Sequence, residues 1–160
     1  MIKKISLRDA TQDDCRDLWV WRNDPDIRKN SFNTQEIRFE EHQAWFQKAI
    51  GDKNIKIYIA EYENRFKAGQ IRFDTKDEVL ININLNPDFL GKGLGSQLIA
   101  MSTKSFLQQN PGVKKVVAMV LEENDISKKA FQKAGYRLVK NDQKDGRKVC
   151  VFAFEAGYGS

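Results

Sequence analysis

The chain is short of the residues that build stapled, fibrous or membrane-spanning proteins. Its two cysteines, Cys15 and Cys150, lie far apart and without metal-ligand spacing. That argues against a disulfide scaffold and a metal site, and suggests two reduced thiols in a cytoplasmic protein. Three prolines exclude a collagen-like or proline-rich linker chain. No apolar run approaches the ~20 residues of a membrane helix. Met1 to Ile5 carries charge with no hydrophobic stretch behind it, so no signal peptide is expected. Histidine is scarcer still, with His42 alone. What remains is a balance of 41% hydrophobic and 31% charged residues in a chain of 160, which suits one soluble domain. We place that domain at residues 1–156, with 157–160 as a frayed tail. The net charge of +5, from 27 Lys and Arg against 22 Asp and Glu, favours anionic partners. The basic residues are spread along the chain, so no nucleic-acid stripe is expected.

Residues 2–8 alternate loosely and read as a first strand. Thr11 is placed to cap a helix with an acidic first turn, Asp13 and Asp14. Cys15, Leu18, Trp19 and Arg22 share one face of that helix. Pro25 ends it, because the residue before a proline disfavours helical geometry. Residues 27–39 read as a loop with a short helical turn. Glu40 to Ile50 reads as a second helix, with Gly51 just past its end. The period then changes to two. Residues 55–60, 66–73 and 79–85 predict three strands of an antiparallel meander. A long helix runs to Gln109, with Leu94, Leu98, Ile99, Met101 and Phe106 inward, and Asn110-Pro111-Gly112 stops it. Residues 113–121 predict a buried strand. Asn124 to Ala134 predicts a helix with Ile126, Ala130, Phe131 and Ala134 inward. Tyr136–Lys140 and Lys148–Glu155 form closing strands around an Asp145-Gly146 turn.

The segment richest in chemistry is Gly91-Lys92-Gly93-Leu94-Gly95, between the strand at 79–85 and the long helix. Glycines let several backbone N–H groups point at one spot, the helix N-terminus adds partial positive charge, and Lys92 adds a full one. This is an anion site suited to a pyrophosphate. The spacing is neither that of a dinucleotide fingerprint nor that of a P-loop. Taken alone, it also fits a tight turn that binds nothing.

Leu90-Gly91-Lys92-Gly93-Leu94-Gly95 resembles the Gln/Arg-x-x-Gly-x-Gly/Ala motif of the GCN5-related N-acetyltransferase (GNAT) family, with Leu90 in place of Arg or Gln. Asn124-Asp125-Ile126-Ser127 through Phe131 to Gly135-Tyr136 resembles that family's second segment, at the right separation. The resemblance spans essentially the whole chain. It implies a single-domain α/β fold with a mixed, largely antiparallel sheet, helices on both faces, and splayed fourth and fifth strands. Trp21 to Arg28, Glu41 to Phe46 and Gly69 to Asp74 look like the subgroup that acetylates the 4-amino group of nucleotide-linked aminosugars, as in pseudaminic acid biosynthesis. The same elements occur more loosely in acetyltransferases of protein N-termini.

On this resemblance the cofactor is acetyl-CoA. Leu90, Gly91, Lys92, Gly93, Leu94, Gly95 and Ser96 would hold its pyrophosphate. The main chain of Ile83 and Leu85 would hold its pantetheine arm, with Asn124, Ser127 and Phe131 on the other wall. A backbone N–H near Leu85 would stabilise the oxyanion. Phe131 stands where the family often has an acidic tyrosine, so the leaving thiolate takes its proton from water or leaves unassisted. A catalytically weak acetyl-CoA-binding module is the alternative that Phe131 raises. His42, one turn from Trp45 and Phe46, is either the general base or a helix residue bonded to a neighbour. Arg22, Arg28 and Arg72 are placed to pair with a nucleotide diphosphate, with Asn23 and Trp45 beside them; each also reads as an ordinary surface or core residue. Asp74 and Glu78 are either bases acting through water or a solvated acidic turn. The implied partner is a small nucleotide-linked aminosugar, with a homodimer possible and neither nucleic acid nor membrane involved.

Overall fold

The computed structural model describes residues 4–157. The start of the expected first strand and residues 158–160 of the expected tail lie outside the described residues. The chain forms β1 (Ile5–Asp9), a 3-10 turn (Gln12–Asp14), and helices α1 (Cys15–Arg22), α2 (Pro25–Lys29) and α3 (Phe39–Gly51). Strands β2 (Ile55–Tyr62), β3 (Phe66–Asp74) and β4 (Leu80–Leu85) follow, then α4 (Leu94–Gln109) and β5 (Lys115–Leu121). Helix α5 (Asp125–Lys133) and strands β6 (Arg137–Lys144) and β7 (Arg147–Glu155) complete it. One seven-stranded sheet runs in the order β1-β2-β3-β4-β5-β7-β6, and every neighbour is antiparallel except β4 and β5. It is the mixed, largely antiparallel sheet that the sequence predicts.

Alternation in the strands divides the core by face. Tyr58, Ile71, Phe73, Ile81, Val116 and Phe152 pack with Leu98, Ile99 and Phe106 of α4 and Phe131 of α5. On the opposite face, Ile57 and Ile59 pack with Leu18 and Trp21 of α1 and with Phe46 and Ala49 of α3. Burying one large apolar side chain is worth about 1.5–3 kcal/mol, so these two clusters supply most of the fold's driving force.

The N-terminal helices differ from the expected ones in detail. The buried face of α1 is Cys15, Leu18 and Trp21, while Trp19 stays half-exposed and donates its indole N–H to the Ile37 carbonyl at 2.7 Å. Asp14 is fully buried beneath them. Burial alone would raise its pKa. Two bonds of 2.9 Å from Arg8, one of 2.8 Å from Lys67 and one from the Thr11 N–H outweigh that and hold the carboxyl well below its ordinary range. Pro25 both ends α1 and opens α2, capped by the Asp24 side chain. Gly51 lies inside α3 rather than beyond it, and Asp52 caps that helix. In α5, Ile126 is 82% exposed, not inward. Five residues of helix set it about 140° from Phe131, the residue that anchors α5 to the core. The closing hairpin is longer than expected; Asp145 and Gly146, with φ of 52° and 77°, make the tight turn.

Candidate active site

Strand β4 is bound to β3 along its whole length, from Asp74↔Leu80 to Gly69↔Leu85. Asn86 extends this grip, with its N–H on the Ala68 carbonyl at 2.9 Å and its side-chain amide on the Lys67 carbonyl at 2.8 Å. Pro87 then turns the chain away. Against β5 the pairing is one register position, Leu80↔Val117, with the Val117 N–H on the Val79 carbonyl at 2.8 Å. Beyond that point the two strands part. The antiparallel ladder alternates, so the main-chain groups of Asn82 and Asn84 serve β3, and those of Ile83 and Leu85 face the gap. Main chain left unpaired inside a sheet is satisfied by water or by a ligand that pairs as a strand would.

The turn that follows is shaped for an anion. Gly91 and Gly93 have φ of 75° and 72°, which other residues adopt at a cost. A Cβ at either would meet nothing within 4 Å, so the space above the loop is open. Helix α4 starts with no side-chain cap and no acidic residue in its first turn, and its N-terminal N–H groups from Leu94 and Ser96 onward are left for a ligand. Lys92 and Leu90 stand exposed at the rim. Gly95 faces α5: a Cβ there would lie 3.6 Å from that of Ala130, an ordinary contact. These features fit the pyrophosphate and amide-bearing arm of a coenzyme A thioester.

A cavity of about 370 Å³ continues from the gap to the opposite face of the sheet. Residues 81–84 of β4 and 119–121 of β5 form its sides. Asn124, Ser127 and Phe131 close the cofactor side, with Asn124 capping α5 by accepting the Ser127 N–H at 3.1 Å. Arg22, Arg72 and Asp74 line the other side. Arg72 Nε lies 3.2 Å from Asp74 but off the hydrogen-bond direction, and is buried without a hydrogen-bond partner. Arg22 has neither a carboxylate nor a hydrogen-bond partner among the described residues. Its pKa is lowered by burial and by the charge of Arg72. Behind them the Gln70 side-chain amide nitrogen is also buried and unpartnered. This end of the cleft holds donors and positive charge in excess.

Several residues singled out in the sequence are not brought to the cleft. His42 is 4% exposed between α1 and α3, with Nε2 on the Cys15 carbonyl at 2.9 Å and its ring stacked on Phe46. Burial lowers its pKa, and nearby Arg22 adds to that. It is not among the residues that line the cleft. Asn23 bonds both the N–H and the carbonyl of Ile37, and Arg28 bonds the carbonyls of Asn23 and Thr34, so both shape the segment after α2 rather than meet a ligand. Glu78 is half-exposed on the β3–β4 turn, 4.0 Å from Lys115, at the closed end of the strands. Trp45 backs the site: the Arg72 guanidinium lies 5.2 Å above its ring. Phe131 is 3% exposed, edge-on to Tyr136 and stacked with Phe152, with one side on the cleft. Tyr136 offers no substitute acid, because its hydroxyl bonds Thr103 at 2.7 Å and burial raises its pKa.

Other lining residues were not singled out. Asn82 and Asn84 alternate with isoleucines in β4, a polar face on a central strand that could have marked them. Residues 30–33, Lys144 and Asp145 complete the wall and have no local sequence signal.

A parted parallel strand pair with free main chain, leading into an uncapped helix N-terminus on a glycine turn, makes a cleft for an elongated anionic ligand with an amide-bearing arm. The acetyltransferase (GNAT) domain matches residues 4–137, and the chain belongs to that family. It is an acetyltransferase, and its donor is acetyl-CoA. It is 29% identical over 146 residues to an uncharacterized protein of Methanocaldococcus jannaschii, covering 89% of this chain and 30% of that protein's length. It is 26% identical to acetyltransferase PseH of Campylobacter jejuni, over 94% of both chains. In fold it is similar to the spermidine N-acetyltransferase of Vibrio cholerae solved with CoA and spermine, with a TM-score of 0.83, 17% identity and 95% of each chain covered. It is also similar to the aminoglycoside acetyltransferase AAC(6')-Ib with coenzyme A, with a TM-score of 0.80, 19% identity and 95% of each chain covered.

Proposed function

We propose that the enzyme transfers the acetyl group of acetyl-CoA to the 4-amino group of a nucleotide-linked aminosugar of the UDP type. One observation carries this reading: Arg22 and Arg72 converge on the acceptor end of the cleft, with Asp74 beside Arg72. Two half-buried guanidiniums repel each other and a polycationic acceptor alike. They favour an amine that carries its own anion, such as a diphosphate, which guanidinium forks bind bidentately. The subgroup resemblance and the likeness to PseH point the same way.

Acetyl-CoA supplies an activated thioester carbonyl. The main chain of Ile83 and Leu85 holds the donor as an added strand. Of these two, Ile83 lies between Asn82 and Asn84 on the cleft wall, nearer the arginines than Leu85. Its N–H is the proposed donor for the oxyanion as charge develops, with that of Leu85, two residues on, as the other candidate. Asp74, the carboxylate beside Arg72 in the cleft, receives the proton of the acceptor amine through water. Phe131 has no proton to give, so the departing sulfur takes one from solvent. Aligning two bound reactants is worth up to roughly 7–11 kcal/mol, so positioning supplies most of the rate.

The test is thiol release with acetyl-CoA and a panel of amines: UDP-linked 4-aminosugars, spermidine, kanamycin and a peptide N-terminus. At least one UDP-linked sugar should exceed the others in kcat/KM by about 100-fold, or 2.7 kcal/mol. Preference for spermidine or for the peptide would overturn the proposal.

A further inference from the structure

We infer that Arg147 is a positioning residue for the acceptor, the clamp that sets the width of the cleft. The inference rests on this cleft being the acceptor pocket of the acetyltransferase, and not on which amine enters it. Arg147 is the first residue of β7, directly after the Asp145-Gly146 turn, which aims its side chain across the face of the sheet. Its guanidinium joins two walls. Nη1 donates to the carbonyl of Ser31 at 2.8 Å and to that of Phe32 at 3.3 Å. Nη2 donates to Glu123 Oε1 at 2.8 Å. Ser31 and Phe32 line the acceptor wall, and Glu123 precedes Asn124, which lines the cofactor wall and caps α5. One rigid fork thus holds the distance between the segment over the acceptor and the start of the helix beside the donor.

The rest of that segment is tied back toward its own helices. The Ser31 hydroxyl bonds the Ile27 carbonyl, Arg28 bonds the Thr34 carbonyl, and Asn23 and Trp19 hold Ile37. Among the described residues, the hydrogen bonds that carry residues 31 and 32 to the β5–β7 half of the sheet come from Arg147. Phe32, like Leu80 and Met119, packs against the Val117, Leu121 and Val149 cluster of that half, and the Lys144 ammonium lies 5.2 Å above its ring. Arg147 itself is not among the residues that line the cleft. It acts through Ser31 and Phe32, anchored at Glu123. A one-ångström change in acceptor placement costs rate steeply, so a residue that fixes this wall governs acceptor binding without touching the acceptor. Lysine keeps the charge but cannot span both carbonyls and the carboxylate with a planar fork.

The test compares Arg147→Ala, Arg147→Lys and Glu123→Gln with the natural enzyme in two measurements. The first is amide hydrogen exchange. A clamp predicts at least tenfold faster exchange over residues 30–36 in Arg147→Ala, with exchange over α4 unchanged. The second is steady-state kinetics with whichever panel amine the enzyme acetylates fastest. The acceptor KM should rise at least tenfold and kcat should fall less. The dissociation constant of acetyl-CoA, read by calorimetry, should stay within twofold. Arg147→Lys and Glu123→Gln should fall between the two, and both keep the readouts available if the alanine variant does not fold. Unchanged exchange over 30–36 would overturn the inference. So would an unchanged acceptor KM, or a joint rise of acceptor KM and the acetyl-CoA constant, which marks a general loss of structure. If no amine in the panel is acetylated, the proposed acceptor fails, and the exchange measurement decides the clamp by itself.

Discussion

His42 keeps its Nε2 proton on the Cys15 carbonyl, and its ring lies between α1 and α3 rather than in the cleft. With its pKa lowered from 6.5, it binds a proton less readily in the folded state than in the unfolded one. Its contribution to stability is complete above about pH 6.5 and is lost as the pH falls from there through the lowered folded value. His42→Gln should therefore cost about 1–2 kcal/mol from the lost bond and ring stacking, seen as a fall of ~2–8 °C in Tm. It should also flatten the stability profile below pH 6.5, leave kcat within threefold, and preserve the acidic limb of the pH–rate profile. Loss of that limb would show that the histidine titrates in the reaction. The sequence marks His42 for its rarity and its aromatic neighbours, which a structural and a catalytic histidine share. What separates them is burial against Cys15, 27 residues away, and no local spacing encodes that. Arg22 shows the converse. Its position on the helix face is readable, but its lack of a partner depends on Arg72, brought beside it by β3.

The glycine turn and α4 form the element that sequence describes best. Strand, glycines and helix are contiguous, so local rules determine their geometry, and the positive φ of Gly91 and Gly93 follows from their identity. The three glycines of the motif nevertheless differ in role. Gly93→Val forces a branched residue into a left-handed conformation and fills open space above the cradle. Acetyl-CoA affinity, measured by calorimetry, should fall at least tenfold, which is about 1.4 kcal/mol. Gly95→Ala meets Ala130 at an ordinary contact distance and should change affinity by less than threefold. Equal effects from the two substitutions would remove the distinction between ligand cradle and helix contact. The segment between α2 and α3 is the opposite case. Its residues read as a loop because they are held by Asn23, Arg28, Trp19 and Arg147 rather than by periodicity. Sequence therefore conveys the cofactor half of the cleft and leaves the acceptor wall dark.

At the scale of the whole molecule, one departure from regular structure makes the site. A seven-stranded sheet is paired along its strands, with bulges only at Ala60/Glu61 and Leu138/Lys140 among the described residues, except between β4 and β5, where a single paired position gives way to a gap. The gap opens the sheet from one face to the other. In the proposed reaction the donor enters beside α4 and α5, and the acceptor lies on the face covered by α1 and α3. Likeness in fold to proteins named for spermidine and aminoglycosides rests on this sheet and does not convey what charges line the cleft. The most direct measurement is the ratio of kcat/KM for a UDP-linked 4-aminosugar to that for spermidine, in the natural enzyme and in Arg22→Gln. A charge-assisted bond to a bound anion is worth about 1.5–3 kcal/mol, so the ratio should exceed 100 in the natural enzyme and fall at least about tenfold in the variant, with acetyl-CoA affinity unchanged. A ratio near one, or an equal loss on both amines in the variant, would contradict an acceptor cleft built for an anion-bearing amine.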